Sequence, residues 1–99
     1  MPYFVYQGRD SDRGLELRKL HRQKHLDHLA DLDEAGRIQF AGPLIDLDQN
    51  PCGSIIIIEV GDFDEAKRIA ESDPYLLEGI FESIEVFETK LVFPSERGA

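Results

Sequence analysis

Three histidines, His21, His25 and His28, lie within the eight-residue stretch His-Arg-Gln-Lys-His-Leu-Asp-His. An α-helix turns about 100° per residue, so on a helix all three imidazoles project from one face. Histidine titrates near neutral pH and also binds metal ions. This face therefore predicts one of three arrangements: a proton-transfer site, a metal site or a packed polar seam.

A metal site would begin with His21 and His25, because residues at i and i+4 can share one ion and His28 could add a third ligand. Three side chains of one straight helix rarely converge on an ion, and the His-Glu-x-x-His pattern is absent. The single cysteine, Cys52, excludes an internal disulfide and a multi-cysteine zinc site. No glycine loop for phosphates or dinucleotides is present either. We expect no metal and no other cofactor.

The elements that must position these histidines alternate between strand and helix patterns. A strand is predicted over 3–7, followed by a helix from Gly14 to Ala35 that Ser11 or Asp12 caps and Gly36 ends. Further strands are predicted over 37–44, with Ile38 and Phe40 on one side, over 54–60 and over 80–93. Between the last two, a helix capped by Asp62 or Asp64 precedes a single turn that begins at Pro74.

The order β-α-β-β-α-β predicts an α+β, ferredoxin-like fold, with two helices on one face of an antiparallel sheet. Four consecutive isoleucines, Ile55 to Ile58, cannot all point to one side of a strand, so both faces of that strand need cover. The helices cover one face, and a homodimer through the other face is expected. The 99 residues form one domain, with 94–99 as a flexible tail.

Charge and hydropathy exclude several partners. The net charge of −9 argues against nucleic acid, whose phosphates require a basic surface. No apolar stretch approaches the ~20 residues that cross a bilayer, and no signal peptide is present, so we expect a cytoplasmic protein without a membrane partner. Six of the eleven Lys and Arg residues lie between Arg9 and Lys24. They form either a solvated helix face or an electropositive mouth for a small anion.

Several short motifs, in this order and at this spacing, resemble the YciI-like (YCII-related) domain family. The motifs are Arg22-x-x-His25-Leu26, Gly36, Ala41-Gly42-Pro43-Leu44, Gly53-Ser54, Asp73-Pro74-Tyr75 and Gly79-Ile80-Phe81. The resemblance covers nearly the whole chain. It implies a dimeric ferredoxin-like fold and a His–Asp active site at His25 and Asp73. Most members have no assigned reaction, and one relative type is a dehydrochlorinase acting on a chlorinated hydroxyhydroquinone.

The residues allow two interpretations of His25 and Asp73. In the first, Asp73 orients the His25 imidazole for general acid/base chemistry on a small anionic or phenolic metabolite. Arg22 would then hold a substrate oxygen, and Ser54 and Tyr75 would line the pocket. The reaction would be of isomerase, lyase or dehydrochlorinase type. In the second, His25 is a packed helix residue, Asp73 caps the turn at Pro74, and Ser54 and Tyr75 are structural. A non-catalytic ligand-binding or regulatory domain is the corresponding alternative function.

Overall fold

A four-stranded antiparallel sheet with helices on one face forms the body of the protein. The computed structural model describes residues 1–95. The strand order is β2-β3-β1-β4, with every neighbouring pair antiparallel, which is the ferredoxin-like α+β topology. The elements in chain order are β1 (Tyr3–Asp10), α1 (Gly14–Glu34), β2 (Ile38–Ile45), β3 (Pro51–Glu59), α2 (Phe63–Glu71), α3 (Pro74–Leu77) and β4 (Phe81–Thr89).

The main hydrophobic core lies between the sheet and the two longer helices. Its fully buried sheet residues come from β1 and β3, and Leu29 and Leu32 of α1 pack against them together with Ala66 and Ala70 of α2. A second, smaller cluster forms where α3 meets the start of β4. Burial of the apolar faces of both helices holds them on the same side of the sheet.

Strand β1 continues to Asp10, beyond the predicted end at Gln7. Glycine usually interrupts a strand, but a Cβ at Gly8 would lie 2.5 Å from the buried Phe81 ring, so this glycine leaves room for a side chain. Side chains alternate along β1, and Phe4, Tyr6, Gly8 and Asp10 therefore share the face under the helices. Asp10 is thereby directed toward α1.

The predicted end of α1 is confirmed, whereas the predicted N-cap is wrong. Gly36 has φ +73°, and its N–H donates to the Asp33 carbonyl while Arg37 N–H donates to that of Leu32. This is a Schellman motif. At the N-terminus the capping position is Arg13, with no side-chain cap. Ser11 instead donates its hydroxyl to the Gly79 carbonyl, 2.8 Å away, and so ties the helix start to the segment before β4.

Strand β2 contains an irregularity that separates two side chains expected on one side. Ile38 pairs with Ile58, whereas Phe40 pairs with Ile57, because the register shifts between them. Ile38 therefore packs against the core, and Phe40, 54% exposed, lies on the opposite face. The sequence carries no mark of this bulge.

The isoleucines of β3 divide between the two sheet faces, as alternation requires. Ile56 and Ile58 are fully buried under the helices, and Ile55 and Ile57 point to the other face, where they are partly covered. On that face a row of apolar residues crosses all four strands. We call it the open-face row: Phe40, Ile57, Val5 and Phe87.

The remaining expectations concern the second half of the chain. Asp62 caps α2 by accepting from Glu65 N–H, and α3 is the predicted single turn at Pro74. The last strand is shorter than expected and ends at Thr89. The predicted flexible tail, 94–99, lies outside the described residues from 96 onward. None of the helices within residues 1–95 is long and apolar enough to cross a membrane.

Candidate functional site

His25 lies on the middle of α1 with its imidazole turned inward, and the residue is only 8% exposed. Its Nδ1 atom is 2.7 Å from Oδ1 of Asp73. The helix places His25 at this depth because Leu29 and Leu32, one and two turns later, pack against the core. The structure thus brings together the two residues that the family resemblance paired, across 48 positions of chain.

Asp73 is fully buried and accepts three hydrogen bonds. Oδ1 accepts from His25 and from the Tyr75 backbone N–H at 2.9 Å, and Oδ2 accepts from the Tyr6 hydroxyl at 2.8 Å. Burial alone would raise the pKa of the Asp73 carboxyl. The hydrogen bond and charge of His25, followed by the Tyr75 and Tyr6 donors, outweigh burial and hold the pKa below its ordinary value. Asp73 is therefore a carboxylate at neutral pH.

This environment fixes the protonation pattern of the pair. An ionised carboxylate can only accept, so Nδ1 of His25 carries the proton that it donates to Asp73. Nε2 then has a free lone pair in the neutral imidazole. The buried side-chain polar atoms without a partner in residues 1–95 are His21 Nδ1 and His28 Nε2. Nε2 of His25 has no partner there either, but it is open to the cavity that His25 lines.

Tyr6 and Tyr75 complete the surroundings of the pair. Burial, with the charge and hydrogen bond of Asp73, raises the pKa of Tyr6 far above its ordinary value, so Tyr6 remains a donor. The Tyr75 ring stacks on His25 with centroids 3.9 Å apart and planes 3° from parallel. Burial also raises the pKa of Tyr75, against the lowering effect of Arg18 and Arg22. Its phenol therefore stays protonated at neutral pH.

A cavity of about 430 Å³ opens beside His25, between α1 and the β2–β3 edge of the sheet. This volume is in the range of small-molecule sites. Cationic side chains and His25 of α1 line one side, Tyr75 of α3 stacks on His25 there, and the remaining lining is apolar except for Ser54. The lining is Arg18, Lys19, Arg22, His25, Leu26, Leu29, Ala41, Gly42, Pro43, Pro51, Ser54, Ile56 and Tyr75.

The cavity brings together most of the predicted site residues. Arg22 is exposed at its mouth, and the buried Ser54 and Tyr75 form part of its wall. Asp73 is not in the lining, because it lies behind His25 and reaches the cavity only through the imidazole. Asp73 also accepts from Tyr75 N–H and so caps α3. The same carboxylate therefore both caps this helix and contacts His25.

Arg18 is a site residue that sequence reasoning missed. Its guanidinium pairs with Asp10 through two bonds, from Nε at 2.7 Å and from Nη2 at 2.9 Å. Nη2 also donates to the Gly53 carbonyl at 2.9 Å and to Ser54 Oγ at 3.2 Å. The available signal was helical spacing, because Arg18 precedes His25 by seven residues and shares its face. Asp10, the partner, was hidden by the predicted end of the strand.

The distribution of ion pairs gives the cavity mouth its charge. Within residues 1–95, Arg13, Arg18 and Lys24 have carboxylate partners, whereas Lys19 and Arg22 form no ion pair. Both unpaired cations line the cavity. Two cationic side chains on consecutive turns of α1 therefore line the cavity without a carboxylate partner in residues 1–95.

The other two histidines lie outside the cavity lining. The pKa of Glu78 is lowered mainly by its hydrogen bond with Lys24, and the charge of the nearby His21 lowers it further by a smaller amount. In the described part of the chain no group of three or more His, Cys, Asp and Glu residues is arranged to hold a metal ion. The three histidines thus have separate environments, and His25 alone faces the cavity.

Comparison with known proteins shows the family to which the chain belongs. The YCII-related domain matches residues 1–90. Protein YciI of Escherichia coli O6:H1 is 34% identical over 99 residues, covering 94% of this chain and all of the relative. An uncharacterized protein of Haemophilus influenzae is 35% identical over 98 residues, covering 92% of this chain and 99% of the relative.

A solved structure shares both the fold and part of the sequence. It is the 5-chloro-2-hydroxyhydroquinone dehydrochlorinase of Burkholderia phenoliruptrix AC1100, in complex with 2,5-dihydroxybenzoquinone. The TM-score is 0.80 at 28% identity, with 89% of this chain and 93% of that chain covered. Together with the domain match over residues 1–90, these similarities establish that the chain belongs to the YCII-related domain family.

Proposed function

We propose that this protein is an enzyme that moves a proton on a small anionic or phenolic metabolite, with His25 as general acid/base and Asp73 as its orienting partner. One observation carries the proposal: Nδ1 of His25 is held by a buried carboxylate while Nε2 faces a cavity with cationic side chains at its mouth. A histidine with one nitrogen fixed and the other open has the arrangement of a general acid/base.

The chemistry follows from that geometry. In an elimination, Nε2 takes a proton from the substrate, and the C–H electron pair forms a double bond as a halide leaves with its own bonding pair. In an isomerisation, Nε2 takes a proton from one carbon and returns it to another. Both reactions are redox-neutral and need no oxidant or reductant. Asp73 stabilises the imidazolium that forms in either case.

The cavity also supports the substrate class. Lys19 and Arg22 provide positive charge without a protein counterion in residues 1–95, which favours an anionic ligand. The Tyr75 ring and the apolar wall suit a flat ring. The related dehydrochlorinase holds 2,5-dihydroxybenzoquinone, a flat oxygenated ring of the same chemical class.

His25→Ala tests the proposal. We expect halide release or isomerisation, measured with a panel of chlorinated hydroxyhydroquinones and unsaturated hydroxy acids, to fall by at least 10²-fold. The melting temperature should also fall, because the substitution removes a partner of the buried Asp73 carboxylate, so rates are measured well below the melting temperature of the variant. His28→Ala is the matched control, because His28 lies on the same helix outside the cavity lining. Equal rates in the wild type and His25→Ala would contradict the proposal, as would a wild type inactive on the whole panel.

A non-catalytic ligand-binding domain is the second candidate function. It is favoured by the capping bond from Tyr75 N–H to Asp73, which gives the carboxylate a role that needs no reaction. The same panel distinguishes the two candidates. Binding without turnover by the wild type would support the ligand-binding domain.

We also propose that two copies associate through the open-face row. Phe40 and Phe87 at its two ends are 54% and 53% exposed, and Ile57 and Val5 lie between them. Soluble monomers rarely leave a contiguous apolar patch across a whole sheet. A second copy placed by a two-fold axis would present the same row to it and bury both.

A further inference from the structure

We infer that Arg18 is a ligand-binding residue, and that its free edge binds a carbonyl or phenolic oxygen of the ligand. The inference rests on the proposed function, because it assumes that the cavity holds the substrate. It identifies the polar anchor of the ligand.

The first argument is that Arg18 is held rigidly. Its hydrogen bonds within residues 1–95 are made by Nε and Nη2, to Asp10, the Gly53 carbonyl and Ser54 Oγ. The side chains of Arg18 and Asp10 are only 12% and 6% exposed. A guanidinium fixed by a bidentate carboxylate and two further acceptors loses little rotamer freedom when it binds a ligand.

The second argument is that one edge of the guanidinium remains open. Nη1 carries two N–H donors and has no partner within residues 1–95, yet it is absent from the buried atoms that lack one. It is therefore accessible, and Arg18 lines the cavity. The Tyr75 hydroxyl and Nε2 of His25 are open for the same reason. Arg18, His25 and Tyr75 thus each have an accessible polar atom without a partner in the described residues, and all three residues line the same cavity.

The third argument is proximity. The Arg18 guanidinium carbon lies 5.1 Å from the centre of the Tyr75 ring, and the His25 ring centre lies 3.9 Å from the same point. The two groups are therefore at most about 9 Å apart, and a small oxygenated ligand beside the Tyr75 ring can contact both.

Charge defines the oxygen that Arg18 binds. Asp10 neutralises the guanidinium, so Nη1 offers directed donors with little net attraction for an anion. Such a pair suits a carbonyl or phenolic oxygen, whereas the unpaired Arg22 and Lys19 attract the ligand's negative charge. The ligand that fits these groups therefore carries an acidic group near the mouth and a further carbonyl or phenolic oxygen at Arg18.

Titration with 2,5-dihydroxybenzoquinone tests the inference. We expect Arg18→Lys to raise the Kd at least tenfold, because lysine can pair with Asp10 but cannot present a second donor edge. Arg13→Lys is the matched control, since Arg13 forms an exposed pair with Glu16 on the same helix. An unchanged Kd in a folded Arg18→Lys variant would overturn the inference.

A measurement on the unaltered chain covers the case in which the variant fails to fold. Nitrogen-15 NMR of the arginine side chains should show a shift of the Arg18 guanidinium when the probe saturates the cavity. Unperturbed Arg18 signals at saturation overturn the inference.

Measuring binding and catalysis separately distinguishes a failure of this inference from a failure of the proposed function. Probe binding that is lost in Arg18→Lys, in a wild type inactive on every panel compound, keeps the Arg18 site and removes the enzyme. An active wild type whose kcat/KM is unaltered by Arg18→Lys keeps the enzyme and removes the Arg18 site.

Discussion

Asp73 uses one oxygen for two neighbours, the Tyr75 N–H and the His25 imidazole. Its pKa is lowered on folding, so the carboxylate stabilises the protein above the unfolded pKa, near 3.8. That contribution is lost as the pH falls through the lower folded pKa. The stability of the site and that of α3 therefore depend on the same charge.

Asp73→Asn should reduce the free energy of unfolding by about 2–4 kcal/mol at pH 7, because it removes the charge from a buried hydrogen-bonded pair. Urea unfolding from pH 7 down to pH 3 measures the effect. The difference between wild type and variant should shrink below about pH 4, as the wild-type carboxyl takes up a proton.

The exposed Asp33, on the last turn of α1, provides the control. Asp33→Asn should change stability by less than about 0.5 kcal/mol. A constant difference between wild type and Asp73→Asn over the whole pH range would contradict the prediction.

The pairing of His25 with Asp73 was predictable from a motif, whereas that of Arg18 with Asp10 was not. Helical spacing could place Arg18 on the face of His25, but the strand pattern ended at Gly8 and left Asp10 in a loop. Gly8 leaves space for the Phe81 ring and does not end the strand. The residues around Gly8 give no indication that its missing side chain makes room for a residue more than seventy positions away.

Strand β1 connects the core to the site. Its inward residues are Phe4 in the core, Tyr6 on Asp73, Gly8 under Phe81 and Asp10 on Arg18. The alternation of a single strand thus sets the position of both buried carboxylate networks. A shift of β1 by one residue would turn all four side chains to the other face.

Gly8→Ala should destabilise the protein by about 1–3 kcal/mol, because the new methyl group meets the buried Phe81 ring in a packed core. Chemical denaturation measures the loss. Gly61→Ala is the matched control, since its Cβ would have only an ordinary contact, 3.5 Å from Glu65. Equal stability of the two variants would show that the ring moves aside without cost.

One face of the sheet is covered by the helices, and the other is open. Substitutions of two adjacent isoleucines of β3 test the role of each face separately. Ile57→Asp should leave a folded chain that no longer dimerises, because its carboxylate enters the open-face row. Ile56→Asp should abolish folding, because it buries an unpaired charge in the core. Light scattering after size exclusion, with circular dichroism, measures both outcomes.

Two results would contradict this division. A folded, fully dimeric Ile57→Asp variant would show that the open-face row is not the interface. A stable Ile56→Asp variant would show that the helix-covered face tolerates charge. The two-sided nature of β3 was predictable from four isoleucines in a row, whereas the β2 bulge that adds Phe40 to the open face was not.

The stacked and hydrogen-bonded tyrosines have a spectroscopic consequence. The chain has no tryptophan and three tyrosines, of which Tyr6 and Tyr75 belong to the His25–Asp73 cluster. Two of the three tyrosine fluorophores therefore belong to the site itself. Tyr75, stacked on the imidazole at 3.9 Å, should change its emission when His25 gains a proton or a ring enters the cavity. The protein carries its own optical reporter of occupancy.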